Sequence, residues 1–275
     1  MQDSNGLMSA FARPGKALVG LMIVITTLWL MFAVGLNWGG APDSVFFLLA
    51  GDSKAILHGE VWRLFSAPLL HTPVGGSGVW HLVGSLLFLF MFAPQLEAAW
   101  GGARLLRFIA ISSVGAYALQ MLMELLLPTQ VGARLVGPHW YGLDPALGAL
   151  AIAWACSRQG QSINLLFLGP VSARTLILIV VAFPFLRLVA GGTPQEGLLS
   201  PFFGMLLGWA IGGGTPSPLR KAWLKLRLAQ LEGQASGKRP SGPRKARPNP
   251  GGLRVIPGGR TDDDDDKGPD GRWLN

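Results

Sequence analysis

Long apolar runs, broken by short charged stretches, set the pattern of this chain. A helix needs about 20 apolar residues to cross a bilayer. Six segments meet or approach that length: Ala17–Leu36, Val79–Leu96, Leu105–Leu127, Trp140–Cys156, Ser172–Ala190 and Leu198–Gly213. The last is short, but a helix enclosed by protein can be shorter than one facing lipid. The pattern predicts an all-α membrane protein, a six-transmembrane-helix bundle. The connection from Asn37 to Gly78 carries Phe46-Phe47-Leu48-Leu49 and Val61-Trp62-Arg63-Leu64-Phe65. These stretches are too short to span and too apolar to float in water, so the first loop is expected to be embedded at the interface. Trp38, Trp62 and Trp80 suit headgroup depth.

Composition agrees with this picture. Half of the 275 residues are hydrophobic and only 14% are charged, against roughly a quarter in soluble domains. The first apolar run is too long for a signal-peptide core and reads as a signal anchor and first span. The expected organisation is a cytoplasmic N-terminus over residues 1–16, a membrane domain over 17–214 and a basic tail over 215–275. Pro218 to Leu231 could form a basic amphipathic helix on the membrane surface. Beyond Gly233 the tail is rich in Gly, Pro, Lys and Arg and ends in the acidic block Asp262–Asp266, a composition that builds no core.

Charge then sets orientation. The net charge is +8 and the sequence pI about 10.3. The basic residues gather beside spans, which points to anionic lipid as a partner and away from nucleic acid. Arg13, Lys16, Arg104, Arg107, Arg158, Arg174 and Arg220 to Arg227 fall on one side; Lys54, Arg63, Arg134 and Arg187 fall on the other. Both termini are therefore expected in the cytoplasm, with the chain multi-pass in a bacterial plasma membrane, the cell inner membrane.

Candidate chemistry is sparse. Ionisable groups inside spans are costly and point to function. They are His81, Glu97, Glu124 and Asp144; Glu97 and Glu124 lie near span ends, where water is within reach. An aspartyl protease needs two carboxylates sharing a proton, and no second Asp lies in a span. His58, His71, His81 and His139 occupy four separate places without a His-Glu-x-x-His motif, so no metal and no cofactor are expected. The single cysteine, Cys156, excludes an intrachain disulfide.

Several strings occur together in order. Gly59-Glu60-Val61-Trp62-Arg63-Leu64-Phe65 carries a Trp-Arg pair. Leu70-His71 precedes His81-Leu82, and Gln95-Leu96-Glu97-Ala98-Ala99-Trp100-Gly101 closes the second span. Gly142-Leu143-x-x-Ala146 opens the fourth span, and Gly204 with Gly208 gives the sixth a small-xxx-small face. From Gly51 to Gly213 the chain resembles the rhomboid intramembrane serine proteases. That resemblance implies Trp62, Arg63, Glu97, Gly142, Gly204 and Gly208 as family structural positions. It also implies a serine on span four, a histidine on span six as its base, and an oxyanion donor on span two.

At each of those chemical positions this sequence departs from the pattern. The nucleophile position holds Asp144, followed by Pro145 where the family has glycine. The base position holds Pro201, and the oxyanion region holds His81 with Ser85 in place of asparagine. The resemblance therefore implies a pseudoprotease that retains a cavity and binds transmembrane segments of other membrane proteins without cutting them. Asp144 would meet the client, or serve only as an N-cap ahead of Pro145. The alternative is an active rhomboid-type serine endopeptidase with a non-standard or misaligned site, for which Ser85 one turn from His81 is the candidate. A third reading is a transporter or channel. Oligomeric state is not encoded in any pattern found.

Overall fold

The structure is a computed structural model that describes residues 13–158, 162–165, 169–189 and 195–237. The chain divides into two units, residues 1–228 and 229–275. The acidic block Asp262–Asp266 and the tail beyond residue 237 lie outside the described residues.

Helix α1 spans Lys16–Asn37. The following loop folds into short helices, α2 (Ser44–Phe47), α3 (Ser53–Leu57) and α4 (Arg63–Ser66), with a 3-10 turn at Ala67–Leu69. Asp52 caps α3, its Oδ1 accepting the Lys54 and Ala55 amides at 2.9 and 3.1 Å. Two long helices follow, α5 (Gly76–Trp100) and α6 (Gly102–Leu126). The chain reverses between them at Gly101, whose φ of +82° a side chain would resist. Then come α7 (Thr129–Leu135) and α8 (Asp144–Ser157). An antiparallel ribbon of β1 (Ser162–Leu165) and β2 (Gly169–Ser172), with Ser162 opposite Ser172, leads to α9 (Ala173–Val189). Helix α10 covers Ser200–Gly212. Helix α11 covers Pro218–Gly237.

Helix α8 sits at the centre of the first unit. Every residue from Pro145 to Ala155 is buried, as expected of a helix apolar on all sides. It packs against α5, α6, α9 and, most extensively, α10. Glycines permit the α8–α10 approach. A Cβ on Gly204 would stand 2.0 Å from the Pro145 carbonyl oxygen, and one on Gly208 would stand 2.5 Å from Ala149 Cα. The two backbones are in direct contact, which only small residues allow.

Among the described residues, three helices are long and apolar enough to cross a membrane: Lys16–Asn37, Gly78–Trp100 and Gly102–Leu126. Ala173–Leu186 and Ser200–Gly212 are shorter apolar helices. At about 1.5 Å per residue, α8 and α10 reach roughly 20 Å, short of a bilayer core of about 30 Å. The outer helices expose large apolar side chains, among them Ile23, Met31, Leu87 and Leu178, a surface suited to lipid.

Two polar residues depart from their expected settings. Glu97 is only 7% exposed. Instead of reaching water it accepts the amides of Gly15 (2.8 Å), Ala17 (3.1 Å) and Leu18 (3.3 Å), capping α1 from the end of α5. Arg63 is 7% exposed and does not act as a loop charge facing solvent. Its guanidinium pairs with Glu60 at 2.5 Å and donates to the carbonyls of Phe47 and, at 2.9 Å, Ala50. One side chain thus ties three parts of the first loop together. Trp62 beside it is exposed.

Candidate functional site

A cavity of about 540 Å³ lies between α5, α8, α9 and α10. Its walls are mainly apolar, from Phe88, Leu147, Phe183 and Met205 among others. Such a concave, largely apolar space with a few convergent polar groups is the usual form of a ligand site. The polar groups here are His81, Ser85, Asp144 and Glu196.

Asp144 is the first residue of α8, with Leu143 in the capping position and Pro145 next in the helix. Its carboxylate is used across the bundle. Oδ2 lies 2.9 Å from Nε2 of His81 on α5, and Asp144 is not the helix N-cap that Asp-Pro suggests, because Leu143 holds that position and no side chain caps the helix. His81 packs at 5.0 Å between ring centroids against His71, from the loop ahead of α5. His71 is 2% exposed, and neither ring nitrogen makes a hydrogen bond of ordinary geometry. Burial, reinforced by the nearby His81, lowers its pKa from 6.5 to about 4. It is therefore neutral at pH 7.

Glu196 completes the group from the segment before α10. It is 1% exposed. One ligand-type atom from each of His81, Asp144 and Glu196 lies within 4.8 Å of the others. The position of this segment is fixed by Gln120 on α6, whose Nε2 donates to the Glu196 carbonyl (3.2 Å) and whose Oε1 accepts the Ser200 amide (2.8 Å). The Ser200 hydroxyl donates to the same Glu196 carbonyl at 2.6 Å. The Tyr141 amide donates a hydrogen bond to the Gln195 carbonyl at 3.0 Å.

Gly142 lies beside the Asp144–His81 pair. Its φ is +123°, and a Cβ there would lie 3.3 Å from Asp144 Oδ2 and 3.5 Å from His81 Cε1. Its amide donates to the Ala67 carbonyl at 3.0 Å and its carbonyl accepts the Tyr117 hydroxyl at 2.7 Å. The turn is thus held from both sides without a side chain that would crowd the pair.

The chain therefore brings together His81, Ser85, Gly142, Asp144 and Pro201, while Gly204 and Gly208 seat α10 on α8 nearby. Trp62, Arg63 and Glu97 do not line the cavity; they shape the first loop and the α1 terminus. Ser112 and Ser113 are turned onto their own helix, donating to the Phe108 and Ile109 carbonyls at 2.7 and 2.8 Å. Glu196, Gln120 and Tyr117 escaped the sequence reading, and His71 was named there without a place at the site. Glu196 lies just outside the sixth apolar run, and a search confined to spans passes over it. The histidine spacing that argued against a metal set does not capture this group, because two of its three members are carboxylates from different segments.

The fold and site are those of a helical integral membrane protein with an internal cavity. Residues 16–211 match the family described as eukaryotic integral membrane protein (DUF1751), a rhomboid-like family, and the chain belongs to it. The chain is also similar to YdcA of Bacillus subtilis (strain 168), named as a candidate rhomboid protease. The two are 30% identical over 120 residues, which cover 41% of this chain and 54% of the relative. The chain thus matches about half of that relative's length. The expected bacterial membrane is not what the family's description names.

Proposed function

We propose that this rhomboid-like membrane protein binds transmembrane segments of other membrane proteins in the cavity bounded by α9 and does not cleave them. The observation that carries the reading is the pairing of Asp144 with His81. The position where the resemblance asks for a serine nucleophile holds a carboxylate. The one imidazole beside it is engaged by that carboxylate at 2.9 Å, and the position asked to supply the base holds Pro201, which has no titratable group. A carboxylate is a poor nucleophile toward an amide, and a proline cannot take a proton. The apolar walls would receive a client helix, and Asp144 with His81 would meet its exposed backbone or a basic side chain.

In this reading α1, α5, α6, α8, α9 and α10 are the six spans, with both termini in the cytoplasm. The short helices α8 and α10 would cross because protein, not lipid, surrounds most of their length. Basic α11 would rest on anionic lipid. It exposes Leu219, Trp223 and Leu226 on one face and carries Arg220, Lys221, Lys225 and Arg227.

The experiment is photo-crosslinking in proteoliposomes between a transmembrane substrate library and probes placed at Leu147 or Phe183. The expected result is crosslinked, intact client whose yield falls severalfold with Asp144→Ala while helicity is unchanged. Unchanged capture would remove Asp144 from the role.

A second reading, residual serine peptidase activity, draws on the name of the bacterial relative and on Ser85, which lines the cavity one turn from His81. Cleavage of a model membrane substrate, abolished by serine-directed inhibitors and by Ser85→Ala, would establish it and overturn the first.

A further inference from the structure

We propose that His81, Asp144 and Glu196 bind one divalent transition-metal cation of the zinc class on the inner wall of the cavity. The three ligand-type atoms already lie within 4.8 Å of one another. Tetrahedral zinc, with bonds near 2.0–2.2 Å, needs ligand atoms about 3.4 Å apart. The present spacing exceeds that by up to about 1.4 Å. The donor set, one imidazole and two carboxylates, belongs to the nitrogen and oxygen ligands such ions accept.

Charge points the same way. Glu196 is 1% exposed and sits with Asp144 in a mainly apolar enclosure. The two carboxylates and the imidazole lie together on that wall. A divalent cation neutralises the pair outright.

His71 is an independent observation. It is 98% buried by its 2% exposure, its ring nitrogens lack a hydrogen bond of ordinary geometry, and its ring lies 5.0 Å from that of His81. Its ring packs against that of His81 and would help to hold that ligand in place. The surrounding frame is equally specific. Gln120 holds the Glu196 backbone and Gly142 leaves room beside Asp144 Oδ2. The inference does not depend on a client being bound.

The test uses the full chain, purified in detergent without a histidine tag, stripped with chelator and titrated with Zn²⁺ alone. One equivalent per chain is expected by elemental mass spectrometry and calorimetry. Co²⁺ in its place should give d–d bands of nitrogen and oxygen ligation without a thiolate charge-transfer band. The double variant Asp144→Asn, Glu196→Gln should bind at least tenfold more weakly, and His71→Gln should weaken binding about tenfold. Replacing Asp262–Asp266 with asparagine should leave the equivalent in place. Less than half an equivalent on the unaltered chain, unchanged affinity in the double variant, or loss of binding with the tail replacement would each overturn the proposal. The Co²⁺ spectrum is read on the unaltered chain and stays decisive even if a variant fails to fold. Because no client is present in the titration, its failure leaves the capture experiment untouched.

Discussion

Nε2 of His81 and Oδ2 of Asp144 meet at 2.9 Å across the gap between α5 and α8. Both side chains are about a fifth to a quarter exposed, at 18% and 25%, so the pair is screened by whatever fills the cavity. Its contribution to stability is correspondingly modest, about 1 kcal/mol. Asp144→Asn, which keeps an oxygen acceptor, should melt within a degree or two of the parent in detergent. Asp144→Ala should lose slightly more while retaining full helicity by circular dichroism. A collapse of the fold in Asp144→Ala would make the residue a structural keystone and remove it as a reporter of binding.

The α8–α10 contact predicts a far larger effect from a smaller change. At Gly204 a single added methyl meets the Pro145 carbonyl oxygen at 2.0 Å, and backbone cannot rotate away as a side chain can. Gly204→Ala should destabilise by about 3 kcal/mol, and Gly204→Val should abolish the folded state. Thermal unfolding by intrinsic tryptophan fluorescence checks both. Gly84, with open space around it, is the control: Gly84→Ala should leave the melting temperature unchanged or raised.

Glu97 predicts a local defect. Its carboxylate accepts three amides at the start of α1, a charge placed where a helix N-terminus favours it. Glu97→Ala leaves those donors without a partner and should cost about 1–3 kcal/mol. Glu97→Gln, able to accept one or two of them, should cost less. Hydrogen exchange should rise first at residues 15–18. A uniform rise across α5 and α6 would contradict the capping role.

Arg63 predicts that Lys is no substitute. The guanidinium reaches Glu60 and two separate carbonyls at once, a fork that an ammonium does not reproduce. Arg63→Lys should raise exchange throughout residues 44–66 and lower stability by about 1–3 kcal/mol, with α8 and α10 unaffected. Protection of the loop equal to the parent would show that Trp62 and the apolar contacts hold it without the arginine.

Tyr117→Phe removes one hydrogen bond, to the Gly142 carbonyl at 2.7 Å. The expected cost is about 1 kcal/mol. A shift in the His81 nitrogen resonances should accompany it, because Gly142 packs against both members of the pair. Unchanged resonances would mean that the Gly142 turn is held by the Ala67 bond alone.

The pattern of apolar runs was enough to place the helices. Lys16–Asn37, Gly76–Trp100, Gly102–Leu126 and Ala173–Val189 fall close to the predicted segments, because a run of apolar side chains long enough to cross a membrane has no other way to satisfy its backbone. The family was legible too, from Trp62-Arg63, the Glu97 string and the paired glycines. What the pattern left open was length and partnership. α8 and α10 are too short for a lone span. α8 is a helix of the interior, buried on all sides by neighbours that no local run reveals, while α10 lies against it and exposes Leu206 and Trp209.

The same division applies to the site. Asp144 stood out in the sequence because a charge in an apolar run is costly wherever it lands. That Glu196 would join it could not be read from a chain in which the two lie 52 positions apart. Their meeting is set by Gln120 gripping the segment before α10, and by two glycines that let that helix rest on α8. Sequence alone determined which residues are too polar for their surroundings. Tertiary structure decided which of them share a cavity, because only packing brings distant backbone to contact.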